Sequence, residues 1–237
     1  MTAPFIILPG WCLGRGPMAA LANALNGKFI DLPGYRGTPL IDDFDAAVAA
    51  IGEQLQPGST LCGWSLGAQI ALAIAARMPD KVGKLVLVAG TTSFIQREGW
   101  PHAMPPEMLG EFSTAIAADP EGMLPRFVGG FNRGDARAKA VTSELLQLAD
   151  PRPATTVLMT GLGWLRDVDL RADAPQVKAP TLLIHGDADP LMPAGAAQAL
   201  AGLIPGARLA LFENCAHAPF ISRPADCVDT IHAFVHE

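Results

Sequence analysis

The sequence predicts an α/β fold in which a mostly parallel central sheet is covered by helices, with a helical segment inserted between two strands. Three observations lead there. The short apolar runs are continuous rather than alternating, as strands buried on both faces require. Segments with helical spacing separate those runs. One long stretch, residues 96–173, interrupts the alternation with many Pro and Gly residues, several helical segments and no convincing strand.

Phe5-Ile6-Ile7-Leu8 reads as the first strand and is stopped by Pro9-Gly10. Phe29-Ile30-Asp31-Leu32 reads as a second, ended by Pro33-Gly34. From Ile41 to Leu55 the apolar residues Phe44, Val48, Ile51 and Leu55 fall at helical spacing. Thr60-Leu61-Cys62 is a third strand, followed by an Ala-rich helix running to Met78-Pro79. Lys84 to Ala89 is a fourth strand, Thr181 to Ile184 a fifth, and Arg208 to Phe212 is extended. Gly195 to Ile204 and Pro224 to Val235 read as helices. The expected organisation is a core of residues 1–95 and 174–237, with residues 96–173 as a helical cap over the carboxyl edge of the sheet, where open α/β folds bind ligands.

Composition narrows the function classes. The chain has 237 residues, 50% hydrophobic and 17% charged, which suits a folded domain with a large core rather than a disordered segment. A formal net charge of -6 argues against nucleic acid as a partner. No apolar run approaches the ~18 residues needed to span a bilayer. The start, Met1-Thr2-Ala3-Pro4, carries no basic leader. The four cysteines, Cys12, Cys62, Cys215 and Cys227, have neither CxxC nor zinc spacing, so buried thiols in a cytoplasmic protein are expected. A monomer is expected.

The chemistry centres on Gly63-Trp64-Ser65-Leu66-Gly67, which lies between a strand and a helix. In that context G-x-S-x-G makes a sharp turn that exposes the serine hydroxyl, and side chains at the flanking glycines would collide with neighbouring backbone. A serine hydroxyl needs a base, and the base needs an orienting acid, in the chain order Ser, Asp or Glu, His. Asp187 and Asp189 follow the fifth strand directly. Asp189 is favoured, three residues past Gly186 and followed by Leu191-Met192-Pro193, and Asp187 remains the alternative. His217 follows the last strand and precedes the last helix, unlike His102, His185, His232 and His236. Backbone N–H groups of Leu66, after the nucleophile, and of Trp11, after the first strand, are the expected oxyanion donors. The Trp11 indole is expected to wall the acyl pocket or simply to pack. No metal or dinucleotide motif is present, and this chemistry needs no cofactor.

These residues resemble a known family, the α/β-hydrolase carboxylesterases of biotin synthesis that act on pimeloyl-acyl carrier protein methyl ester. The resemblance spans most of the chain. It rests on Pro9-Gly10-Trp11, Asp31-Leu32-Pro33-Gly34, the elbow, Trp100-Pro101, Val168-Asp169-Leu170-Arg171, and above all His217-Ala218-Pro219-Phe220-Ile221-Ser222 before Pro224. It implies a triad of Ser65, Asp189 and His217 with oxyanion donors at Trp11 and Leu66, and hydrolysis of a methyl ester on a carrier-borne pimeloyl chain. Phe127 resembles a family residue that lines the acyl tunnel.

Between Met123 and Ala140 the basic residues Arg126, Arg133, Arg137 and Lys139 face one acid, Asp135. Arg133 and Arg137, four apart, are expected to share a helix face. With Arg126 they would meet an acidic acyl carrier protein, as cap arginines do in the family.

The sequence also departs from the family. It starts almost at the strand leading to Trp11, so the usual first hairpin of the sheet is expected to be missing. Pro9 stands where many relatives have histidine, and Cys215-Ala216 replaces a smaller context before His217. A general short-chain esterase, thioesterase or lactonase, or a non-catalytic binding module, are the competing readings.

Overall fold

The computed structural model describes residues 3–237; Met1 and Thr2, where the sequence shows no basic leader, lie outside the described residues. Six parallel strands form one sheet: β1 (Phe5–Leu8), β2 (Lys28–Phe29), β3 (Ser59–Trp64), β4 (Val82–Val88), β5 (Thr181–Gly186) and β6 (Arg208–Phe212). Their spatial order is β2-β1-β3-β4-β5-β6. All residues of β1, β3 and β5 are buried, as their unbroken apolar runs require of strands covered on both faces. Every pairing between these six strands is parallel.

Helices complete the layers: α1 (Ala19–Ala24), α2 (Phe44–Gly52), α3 (Leu66–Arg77), α4 (Pro106–Ala118), α5 (Pro120–Phe131), α6 (Ala138–Leu148), α7 (Thr155–Asp167), α8 (Ala194–Leu203), α9 (Pro219–Ser222) and α10 (Pro224–Val235). α3 is almost wholly buried, packed on β3 and β4 and against α2, whereas α1 packs with α10. Among the described residues no helix is long and apolar enough to cross a membrane.

Two elements are shorter than their sequence pattern suggests. The strand expected over Phe29–Leu32 is ordered as β2 only to Phe29. The Ile30 N–H still donates to the Ile7 carbonyl at 3.2 Å, but Asp31 then turns towards Arg15 and Arg36, and Pro33 has no N–H to give. The helix expected over Ile41–Leu55 begins at Phe44, because the Asp43 carboxylate caps it by accepting the Ala46 N–H at 2.7 Å.

The topology decides where a site can form. From β1 the chain goes outward to β2, then returns to lay β3 on the other side of β1. The crevice above β1 and β3 is therefore a switch point, the place where open α/β sheets bind ligands. The loops after β1, β3, β5 and β6 carry Trp11, Ser65, Asp189 and His217 to this one edge.

Helices α4 to α7 lie between β4 and β5. The two ends of that segment meet again. The Leu170 N–H donates to the Thr92 carbonyl at 2.9 Å, the Arg97 guanidinium to the Arg166 carbonyl at 2.8 Å, and Arg171 to the Glu98 carbonyl at 2.6 Å. α4 packs on α5 and α7, α5 on α6, and α6 on α9 of the core.

Candidate active site

Ser65 has φ 56° and ψ −117°, a left-handed backbone that a residue with a side chain adopts only when its surroundings impose it, at a cost of about 1–3 kcal/mol. The surroundings here are specific. The Ser65 N–H donates to the Val88 carbonyl at 3.0 Å, extending the β3–β4 ladder by one residue. Its own carbonyl accepts from the Ala68 and Gln69 N–H groups and so starts α3. The helix can leave so sharply because Gly67 has no side chain: a Cβ there would stand 2.5 Å from the Leu8 carbonyl oxygen and closer still to that of Pro9. Cys12, Ala89 and Asn214, in three other loops of the same edge, also have positive φ.

The structure brings three of the predicted residues into one hydrogen-bonded line. Ser65 Oγ lies 3.0 Å from His217 Nε2, and His217 Nδ1 lies 2.7 Å from Asp189 Oδ2. His217 and Asp189 are buried, and Ser65 is 8% exposed. The second Asp189 oxygen accepts the N–H groups of Leu191 and Met192 at 2.9 and 3.0 Å. Burial works against the Asp189 charge, but the His217 ring and these N–H donors outweigh it and hold the carboxyl below its ordinary range. Asp187 is exposed, and its N–H continues the sheet by donating to the Phe212 carbonyl at 3.0 Å. Of the two aspartates, Asp189 is the one that reaches His217.

Leu66 is the first residue of α3, where an N–H has no acceptor four residues back. Neither its N–H nor that of Trp11 finds an acceptor among the described residues. The Trp11 loop is fixed by its neighbours. The Cys12 N–H donates to the Tyr35 hydroxyl at 2.9 Å, and the Trp11 indole N–H donates to the Leu158 carbonyl of α7 at 3.0 Å. That indole lies flush on α7 because residue 161 is glycine; a Cβ there would be 2.5 Å from the ring.

Ser65 and His217 open into a small cavity of about 20 Å³ walled by Trp11, Trp64, Phe94, Phe127, Phe131, Leu165 and Leu191. Phe127, Phe131 and Leu191 also line a groove of about 330 Å³, together with Met104, Met108, Phe112, Met123 and Arg126. Phe127 stacks on Phe112 with centroids 4.9 Å apart and meets Trp11 edge-on at 5.4 Å. The small cavity thus shares three wall residues with an apolar groove whose wall includes the exposed Arg126.

The cap arginines differ from their expectation. Arg133 and Arg137 do not share a helix face, because neither is in a helix. α5 stops at Phe131 and α6 starts at Ala138, and between them Gly134 turns the chain with φ 99°. Arg133 is exposed. Arg137 is partly committed, donating to the Ser222 carbonyl at the end of α9 at 3.0 Å.

Sequence reasoning missed other groups. The Trp64 indole N–H donates to the His217 carbonyl at 2.9 Å, so the elbow's variable residue holds the backbone of His217. His185, fully buried at the end of β5, has Nε2 2.6 Å from the Met192 carbonyl and 3.6 Å from Asp189 Oδ2. Burial lowers its affinity for a proton, so it stands as a neutral ring that steadies the turn around Asp189. Phe131 meets the His217 ring at 5.1 Å. A histidine at the end of a buried strand, four residues before the favoured acid, was the available signal for His185.

Residues 5–230 match the Alpha/beta hydrolase family. The chain belongs to that family. A protein of Nitrosomonas europaea named pimeloyl-[acyl-carrier protein] methyl ester esterase is 38% identical to this hydrolase over 239 residues, covering 96% of this chain and 94% of its own. A protein of the same name from Aromatoleum aromaticum is 38% identical over 244 residues, covering 97% of each. Among solved structures, an esterase from Exiguobacterium antarcticum superposes with a TM-score of 0.84 at 22% identity, over 100% of this chain and 94% of its own, a likeness of fold.

Proposed function

We propose that this hydrolase is a serine carboxylesterase of biotin biosynthesis that cleaves the methyl ester of pimeloyl-acyl carrier protein. The observation that carries the reading is the line Ser65–His217–Asp189, whose serine and histidine face a small apolar cavity that shares Phe127, Phe131 and Leu191 with the neighbouring groove. Its close similarity to relatives bearing that name supports the substrate.

The reaction follows from the geometry. Ser65 Oγ attacks the ester carbonyl carbon while its proton passes to His217 Nε2. Asp189 keeps the ring's Nδ1 proton pointed at its carboxylate and balances the imidazolium charge. The carbonyl oxygen becomes an oxyanion that accepts the N–H groups of Trp11 and Leu66, two donors with no other acceptor. Collapse of this intermediate expels methoxide, which takes the proton from His217 and leaves as methanol. Water then gives a proton to His217 and attacks the acyl-enzyme. A second collapse breaks the bond to Ser65 Oγ, which takes the proton back from His217, and the freed pimeloyl acid, still attached to its carrier, loses its proton to solvent. Phe127 and its aromatic neighbours line the path of the acyl chain. Residues 96–173 form the cap over this site, with residues 1–95 and 174–237 as the core. Arg126, Arg133 and Arg137 provide the cationic side that an acidic carrier protein meets. The enzyme works in the cytoplasm as a monomer and needs no cofactor.

The test is growth of a biotin-requiring strain lacking its own esterase. The wild-type chain should restore growth and Ser65→Ala should not. Hydrolysis of small p-nitrophenyl esters with no rescue would leave a general esterase instead. No fluorophosphonate labelling of Ser65 would favour a binding module.

A further inference from the structure

Asp135 is the one acid among the basic residues of the turn between α5 and α6, and the site described above makes no use of it. It is only 7% exposed. Its Oδ2 accepts the Ala216 N–H at 3.0 Å, and its Oδ1 accepts the Arg137 N–H at 2.7 Å. Ala216 immediately precedes His217. A buried carboxylate costs several kcal/mol unless hydrogen bonds compensate it, so its placement against that loop fixes the loop as much as the loop fixes it.

The peptide plane joining Cys215 to Ala216 is held at both ends. On one side the Cys215 carbonyl accepts the Ala188 N–H at 3.0 Å, from the loop that carries Asp189. On the other side the Ala216 N–H donates to Asp135. Because a peptide unit is planar, pinning its C=O and its N–H fixes its rotation. Two residues on from Cys215, the His217 carbonyl is taken by the Trp64 indole. The same turn is fastened nearby: the Ala136 N–H donates to the Asn214 carbonyl at 2.9 Å, and Gly134 packs on Ala188.

We propose that Asp135 is a positioning residue for His217, so that the inserted segment, and not only the sheet core, sets the base against Ser65. The turn presents Arg133 to solvent on one side and Asp135 to the base loop on the other, so whatever docks on this turn bears directly on the line of Ser65, His217 and Asp189. The inference rests on His217 acting as the base.

The test is steady-state hydrolysis of p-nitrophenyl butyrate, which involves no carrier protein, together with the rate of fluorophosphonate labelling at Ser65. Asp135→Ala should lower kcat and the labelling rate about tenfold or more with KM little changed, since a small misplacement of a reacting group is costly. Asp135→Asn keeps one acceptor and should recover much of the loss, even if Asp135→Ala folds poorly. Val141→Ala, a buried α6 change, gives the control for lost stability and should leave kcat per folded molecule near wild type. Wild-type kcat and labelling in folded Asp135→Ala, or in Asp135→Leu should the alanine variant not fold, would overturn the proposal. So would an equal loss in Val141→Ala. Full activity in His217→Ala would instead show that the base was wrongly assigned.

Discussion

The sheet core and the inserted segment of residues 96–173 are built to different tolerances, and their glycines show it. In the core, a Cβ at Gly67 would strike the Leu8 and Pro9 carbonyls, and one at Gly186 would strike those of Cys215 and Ala216. These are contacts of backbone on backbone with nothing to move aside. In the insertion, a Cβ at Gly110 in α4 or at Gly163 in α7 would meet no atom within 4 Å, and one at Gly161 or Gly122 would meet a side chain, that of Trp11 or Asp119, rather than backbone. The core holds the loops of Ser65, Asp189 and His217 by close main-chain packing. The insertion meets the groove with side chains, among them Met104, Met108 and Met123, whose unbranched thioethers adapt to irregular shapes. Ser65, Asp189 and His217 therefore stand on the tightly packed region, with the Asp135 carboxylate reaching the Ala216 N–H from the insertion, and the groove is walled mainly by adaptable side chains.

The largest effects should separate the two regions in kinetics. Ser65→Ala or His217→Ala should cut kcat for p-nitrophenyl esters by ~10⁴-fold or more, because members of such a line fail together. Phe127→Ala removes only a groove wall and should act mainly through KM. A loss of kcat in Phe127→Ala as deep as that in Ser65→Ala would break the comparison. Stability should divide the same way. Gly67→Ala forces backbone apart and should cost ~3 kcal/mol or prevent folding. Gly110→Ala, exposed in mid-helix, should raise stability by about 0.5–1 kcal/mol. Thermal melts of the two variants read the contrast directly.

The same division explains what was legible in the sequence. Core strands buried on both faces announce themselves as unbroken apolar runs, so β1, β3, β4 and β5 were placed to within a few residues. The loops at their carboxyl ends then gave Ser65, Asp189 and His217 in chain order. The edge strand β2 has fewer buried neighbours to enforce it, and its apolar run overstated its length. In the insertion, spacing alone misled. Arg133 and Arg137 are four apart, yet Gly134 and the buried Asp135 turn the chain between them. Contacts distant in sequence left no local signal: the Trp64 indole on the His217 carbonyl spans 153 positions, and Asp135 on Ala216 spans 81.

Thiol chemistry gives a probe confined to one side of the comparison. Cys12, Cys62, Cys215 and Cys227 all lie outside residues 96–173, and all are buried. Burial pushes every one of these thiols up, Cys215 and Cys227 to about 12, so the reactive thiolate is scarce at neutral pH. The native protein should react with a disulfide reagent only as fast as its core opens. Rapid labelling of one cysteine under native conditions would show a locally open core.

The smallest effect concerns the ion cluster where the insertion rejoins the core. The Arg171 guanidinium, 2.7 Å from Asp169, holds that carboxyl below its ordinary range despite partial burial, and Arg97 adds to it from 3.8 Å. A carboxyl whose folded-state pKa is depressed stabilises the fold above its unfolded value, near 4, and that contribution fades as pH falls through the lower folded-state value. The groups are partly exposed and screened, so the gain at neutral pH is about 0.5 kcal/mol. Asp169→Asn should therefore melt slightly below wild type at pH 7 and converge with it below pH ~3. Added salt should shrink the difference at pH 7. Leu170, beside this cluster, is tied to Thr92 by backbone groups that do not titrate. A gap between the two proteins that persisted unchanged to pH ~2 would mean that Asp169 acts through packing, and that the seam is built like the core after all.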